Sequence, residues 1–183
     1  MIEHPVYVQL LTEESQPHFD NKSAAEAVID TLIHAQNEGW LVLHGFVVLP
    51  DALEMACSPL RQGVSGVVAH VQSYLVPVLS VLLPKAVMVW SSRYVQKPLL
   101  NQRALNARLK MLRLAPVAYG LSDVAEEYPF SSANLRYRDY VDMYAGFADE
   151  LPMNRADFEG GVKPLIRNIT TIEDILTGRS STL

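Results

Sequence analysis

The chain has 183 residues, of which 49% are hydrophobic and 19% charged, and a formal net charge of −5. That composition supplies one core with an appendage, or two small cores, and excludes wholesale disorder. The negative sum argues against a protein that coats nucleic acid indiscriminately. The one cysteine, Cys57, forms no intrachain disulfide and lies in an apolar run, so it reads as a small buried hydrophobe in a cytoplasmic chain. The opening MIEHPVYVQLL lacks a basic region followed by a long apolar stretch, and no signal peptide is expected.

Residues 5–11, PVYVQLL, carry apolar and β-branched side chains at both parities and predict a mostly buried strand. After a polar loop, Ser23 and Glu26 form a capping box, and Ala25, Val28, Ile29, Leu32 and Ile33 repeat at helical spacing until Gly39. Residues 40–49, WLVLHGFVVL, predict a second strand with a bulge at Gly45. Pro50-Asp51 makes the turn into a third strand, Ala52 to Ser58, paired with the second as a hairpin.

A second helix is predicted over about residues 65–83, with Val67, Val68, Val71, Leu75, Val78, Leu79 and Leu82 inward and Pro77 kinking or splitting it. No window of about twenty residues here is free of polar groups or proline, so no membrane span is expected. Residues 86–95, AVMVWSSRYV, predict a fourth strand, and residues 101–114 a third helix ended by Pro116. A turn and short helix follow over 126–137, and TTIEDILTG, residues 170–178, predicts a further short helix. The order strand, helix, strand, strand, helix, strand is the ferredoxin-like βαββαβ arrangement. The expected fold is therefore α+β: a four-stranded antiparallel sheet with helices on one face, a third helix and a C-terminal extension. The first domain is set at residues 1–140 and the extension at 141–183.

Charge is distributed unevenly. Residues 55–122 hold eight of the fifteen basic side chains (Arg61, Lys85, Arg93, Lys97, Arg103, Arg108, Lys110, Arg113) and none of the twenty acidic ones. Such a block suits a polyanion, or it is neutralised in the fold by acidic neighbours.

Four stretches in fixed order carry a resemblance. They are YVQLLTEESQPHF, GWLVLHGFVVLPDALEMACSP, VWSSRYVQKPL and LRLAPVAYGLSDVAEEYPFSSA. Over about residues 5–140 the chain resembles the single-tyrosine transposases of the HUH class, in particular the REP-associated branch. In that family the paired strands meet at Met-Pro-Asn/Asp, and the terminal block reads Asn-Pro-Val-x-Ala-Gly-Leu and then Tyr-Pro-Trp-Ser-Ser-Ala. The resemblance implies cleavage of single-stranded DNA. A His-x-His pair holds a divalent metal such as Mg²⁺, and a tyrosine on the third helix attacks the scissile phosphate.

Carried over by position, the histidine pair falls on Ala52 and Glu54, the nucleophile on Met111 and an assisting polar residue on Ala115. None has the family's residue, and Glu54 alone makes a weak metal site. The implied reading is a catalytically inactive, transposase-like chain without a metal cofactor. Its implied partner is single-stranded or hairpin DNA, and it is read as cytoplasmic, with no membrane partner. Arg93, Lys97, Arg103, Arg108, Lys110 and Arg113 are the candidate DNA contacts, and Trp90, Tyr94 and Phe130 the aromatic residues that either stack bases or pack the core. Tyr94, Tyr119 and Tyr128 are candidate relocated nucleophiles, and His44 and His70 candidate ligands, with His44 read as a satisfied core group. The helix over 62–84 carries no lysine or arginine. It is either buried against the tail or forms a subunit interface, which leaves open a protein-interaction module, including a homodimer, on the same scaffold; the candidate relocated residues leave open an active nickase with a rebuilt site.

Overall fold

Alternating side chains give each strand two sides, and what covers each side decides how the layers stack. The structure, a computed structural model, describes residues 4–86, 88–144 and 147. The chain divides into two units after Gly146, and the sheet and its helices all belong to the first. The segment 170–178 lies outside the described residues. Strands β1 (Val6–Thr12), β2 (Leu41–Leu49), β3 (Ala52–Pro59) and β4 (Trp90–Pro98) form one sheet in the order β2-β3-β1-β4. Every neighbouring pair is antiparallel. This is the expected ferredoxin-like sheet, with β2 and β3 joined by the Pro50-Asp51 turn.

On one face Val8, Leu10, Leu53, Met55 and Cys57 join Phe46 and Val48 in the main core. Helices α1 (Lys22–Asn37) and α2 (Gly63–Leu82) cover that face, burying Val28, Ile29 and Leu32 from one and Val67, Val71, Leu75 and Leu79 from the other. Cys57 is fully buried there and burial pushes its thiol up to about 12, as a structural cysteine requires. The opposite face is covered by α3 (Gln102–Ala118), which buries Leu105, Leu112 and Pro116 and packs on β2 and β3.

Several local expectations change. The cap of α1 is Asn21, whose side chain accepts from Ala24 N at 3.1 Å, rather than the Ser23 box. Pro77 does not split α2, because its missing donor leaves only the solvent-facing Ser73 carbonyl unpaired and Ser80 Oγ donates to the Pro77 carbonyl at 2.8 Å. Val78 points outward, 39% exposed, instead of inward. Strand β4 starts and ends later than expected because Trp90, opposite Thr12, is its first paired residue and Pro98, opposite Val6, its last. Helix α3 runs through Pro116 for most of another turn, since that ring lies on the buried side and Tyr119 N still reaches Ala115 O at 2.9 Å. Among the described residues, α2 is the helix long and apolar enough to cross a membrane by length and composition, with 28% of its window buried.

The chain after α3 closes the open edge of β2. Val48 N donates to Phe130 O at 2.8 Å and Ser132 N to Phe46 O at 2.9 Å, with Val47 bridged to Ser131. Farther along, Asp142 N donates to Leu43 O at 2.8 Å. The bulge expected at Gly45 is present between Leu43 and Gly45. It turns His44 inward, where Nδ1–H donates to the Asp142 carbonyl and Nε2 accepts from Ser58 Oγ at 2.8 Å. His44 is thus the satisfied core group its apolar strand suggested. Burial holds its pKa below the ordinary 6.5.

Gly45 has no side chain where α3 crosses. A Cβ there would stand 2.6 Å from Leu109 Cδ2 and 3.3 Å from Ser132 Oγ. Gly45→Ala should cost about 1–2 kcal/mol in urea unfolding, through overpacking. Adding Leu109→Ala should make the double variant less destabilised than the sum of the two single ones, a coupling read directly from the cycle. His44 gives a pH dependence of known sign. Below about pH 6.5 the unfolded chain binds a proton that folded His44 resists, so stability is present above that value and is lost on acidification. Urea midpoints measured from about pH 7.5 to about 5.5 should fall more steeply for the wild type than for His44→Gln.

Candidate nucleic-acid interface

The parity that sends Leu53 into the main core sends Ala52, Glu54 and Ala56 to the face under α3, where Tyr7 and Gln9 of β1 lie beside them. Gln9 sits opposite Glu54, and Tyr7 opposite Ala56 and Lys97. Gln9 Nε2 donates to Glu54 Oε1 at 3.0 Å, and the Tyr7 phenol lies close enough to feel the Glu54 carboxylate. The Arg108 guanidinium lies 4.0 Å from the centre of the Tyr7 ring, a cation–π contact that covers the ring from the α3 side. Burial, and then the Glu54 carboxylate, raise the Tyr7 phenol well above its ordinary range. Tyr7 therefore stays protonated, which makes it a structural partner and a poor nucleophile.

Met111 and Ala115 stand three and seven residues after Arg108, so they share the side of α3 that overlooks this strip. Met111 is 59% exposed, while Ala52 is 2% exposed at the start of β3. Ala52 and Glu54 thus lie on the sheet face that α3 covers, and Met111 and Ala115 on α3 itself. The donors there do not fit a divalent ion. Ala52 offers a methyl group, and Glu54 is a single carboxylate already engaged by Gln9. Among the described residues no group of three or more His, Cys, Asp or Glu side chains is arranged to hold a metal. His70 stacks on Trp40, with ring centres 4.2 Å apart, and its Nε2 lies 3.5 Å from Glu38, on the α1–α2 side of the molecule.

The other tyrosines are placed for other work. The Tyr128 hydroxyl donates to Val48 O at 2.8 Å, and burial pushes its pKa up to about 12. Tyr94 packs against the main core, on the side of the sheet away from α3. Tyr119 caps the C-terminal end of α3 and is exposed. Phe130 is buried and unavailable to a base, and Trp90 lies 5.2 Å from Phe19, centre to centre, against the core.

The six candidate basic residues fall into three groups. Arg93 and Lys97 are exposed on β4, the sheet edge next to β1. Arg108 is half-buried over Tyr7. Arg103, Lys110 and Arg113 are exposed on α3, and Arg113 pairs with Glu126, whose carboxyl it holds below the usual range. Glu126 thus neutralises Arg113, Arg108 is held over Tyr7, and Arg93, Lys97, Arg103 and Lys110 remain in solvent. Tyr7 and Gln9 went unnoticed in the sequence because their role depends on which residues of β3 lie opposite them. The available signal was that they are two apart on one strand, hence on one face.

No family model and no curated protein matches the chain. Among solved structures it is similar to a REP-associated tyrosine transposase bound to a REP hairpin, with a TM-score of 0.61 and 12% identity over 80% of this chain and 87% of that one. It is also similar to a protein from Deinococcus radiodurans R1 assigned as a transposase, with a TM-score of 0.47 and 13% identity over 61% of this chain and 90% of that one. What the ordered motifs implied holds at the level of architecture: the chain has the fold of a REP-associated tyrosine transposase.

Proposed function

We propose that this chain is a catalytically inactive, transposase-like protein that binds single-stranded or hairpin DNA. The observation that carries the reading is the strip under α3. The positions that would supply metal ligands and a nucleophile hold Ala52, Glu54, Met111 and Ala115, and Glu54 is bound to Gln9. Around the same face Arg93, Lys97 and Arg103 present cations to solvent. This combination suits phosphate contacts without phosphate chemistry. The structural neighbour bound to a REP hairpin supports the choice of DNA. One observation favours a second reading, a protein-interaction module or homodimer. It is the uncharged outer side of α2, where Val76 is 61% and Val81 77% exposed.

The test is fluorescence anisotropy with a labelled DNA hairpin across a salt series with Mg²⁺ present, with the end-point samples run on a denaturing gel. Binding should weaken steeply with salt, and the DNA should remain intact and unattached. Lys97→Ala and Arg103→Ala should each lower the magnitude of the log–log salt slope by about 0.7–0.9. No binding at low salt would reject the DNA reading in favour of the α2 surface. A nicked or covalently attached strand would reject the inactive site.

A further inference from the structure

Helices α1 and α2 leave part of their sheet face uncovered. Helix α1 packs on β2 and α2 on β3, while β4 has no comparable helix partner. A groove of about 400 Å³ opens there, between α2 and the start of β4. That volume is in the range of small-molecule sites. One wall is an edge of α2, where Gln72, Val76, Leu79 and Ser80 follow one another at helical spacing. Leu79 is buried and joins this wall to the main core.

The opposite wall owes its shape to a bulge. Between the pairs Leu10–Tyr94 and Thr12–Trp90, β1 advances two residues while β4 spans four. The excess lets three consecutive residues, Trp90, Ser91 and Ser92, line one cavity, which regular side-chain alternation does not allow.

Among the described residues the lining carries no charged side chain. An anion would lose its water here without gaining a cation. The polar groups are neutral: the Gln72 amide and the hydroxyls of Ser80, Ser91 and Ser92. An acyl chain would leave them facing hydrocarbon. Val76, Leu79, Val89 and the Trp90 indole supply the apolar area, and the indole favours a second ring. Trp90 Nε1 is buried and has no hydrogen-bond partner among the described residues. A buried indole N–H normally has one, so the feature missing from this wall is an acceptor.

We propose that this groove binds a small, uncharged ring compound bearing a hydrogen-bond acceptor, its ring against Trp90 and Val76 and its acceptor on the Trp90 indole N–H. The site needs no cation and is independent of the DNA-binding reading.

Proton–nitrogen correlation spectra of the full chain test it, because the two tryptophans give two indole N–H signals. Trp90→Phe assigns them. Coumarin, a neutral bicyclic lactone, should shift the Trp90 signal downfield and saturably. It should leave the signal of Trp40, which stacks on His70, in place. Indole has a similar size but no such acceptor, and should bind about tenfold more weakly, the worth of one hydrogen bond. 2-Naphthoate, similar in shape but charged, should not bind. Val76 is 61% exposed, so Val76→Lys should keep the fold, visible in the rest of the spectrum, and abolish the coumarin shift. A Trp90 signal that no probe moves would overturn the site, as would a coumarin shift retained in Val76→Lys. Binding of 2-naphthoate as tight as that of coumarin would overturn the uncharged class, and equally tight binding of indole would overturn the acceptor.

Discussion

The second face of the sheet must be buried, and Gly45 lets α3 bury it. Side-chain alternation gives the strands two sides, and α1 and α2 can cover only one. The other carries Tyr7, Ala52, Ala56 and the Gly45 backbone, a surface low enough for a helix to lie on. Leu109 and Leu112 reach into the space above Gly45, and Leu105, Leu112 and Pro116 are buried along the same side of α3. Once α3 is seated there, its two edges face different surroundings. One edge, with Arg108, Met111 and Ala115, overlooks the Tyr7–Glu54 strip. The other, with Asn106, Lys110 and Arg113, borders a groove against the returning chain.

The strip under α3 is built from polar side chains that engage one another. A carboxylate under a helix has to be satisfied, and Glu54 accepts from Gln9 of the neighbouring strand. Arg108 lies over the Tyr7 ring from the α3 side. Gln9 holds Glu54 Oε1, and a ligand using that oxygen would have to displace it. The Arg108–Tyr7 contact also holds α3 to the sheet, in addition to the leucines.

The two sheet edges are treated differently. The β2 edge is closed by residues 130–132 and by Asp142, so its backbone groups are paired. Among the described residues the β4 edge has no further strand, and it carries Arg93 and Lys97, charges that discourage pairing with a second sheet. The outer side of α2 is a third kind of surface, uncharged and partly apolar. Among the described residues, Arg93, Lys97, Arg103 and Lys110 are exposed on β4 and α3, while Val76 and Val81 are exposed on α2.

By itself the sequence determined the element order, the ferredoxin-like class, the Pro50-Asp51 hairpin and the bulge at Gly45. All of these are written locally, in periodicity, turn residues and motif spacing. Element ends were less legible: Pro77 and Pro116 read as breakers, yet both helices run through them, because one proline leaves only an exposed carbonyl unpaired and the other ring is buried. Only the tertiary structure decided that Gln9 would partner Glu54, that Arg108 and Arg113 would be drawn into contacts while Lys97 and Arg103 stay in solvent, and that a groove would form beside Lys110. Those outcomes depend on strand register and on chain segments far apart in sequence. Residue 9 meets 54, 36 meets 140 and 44 meets 142 only after the sheet has formed, and no local pattern encodes such a meeting.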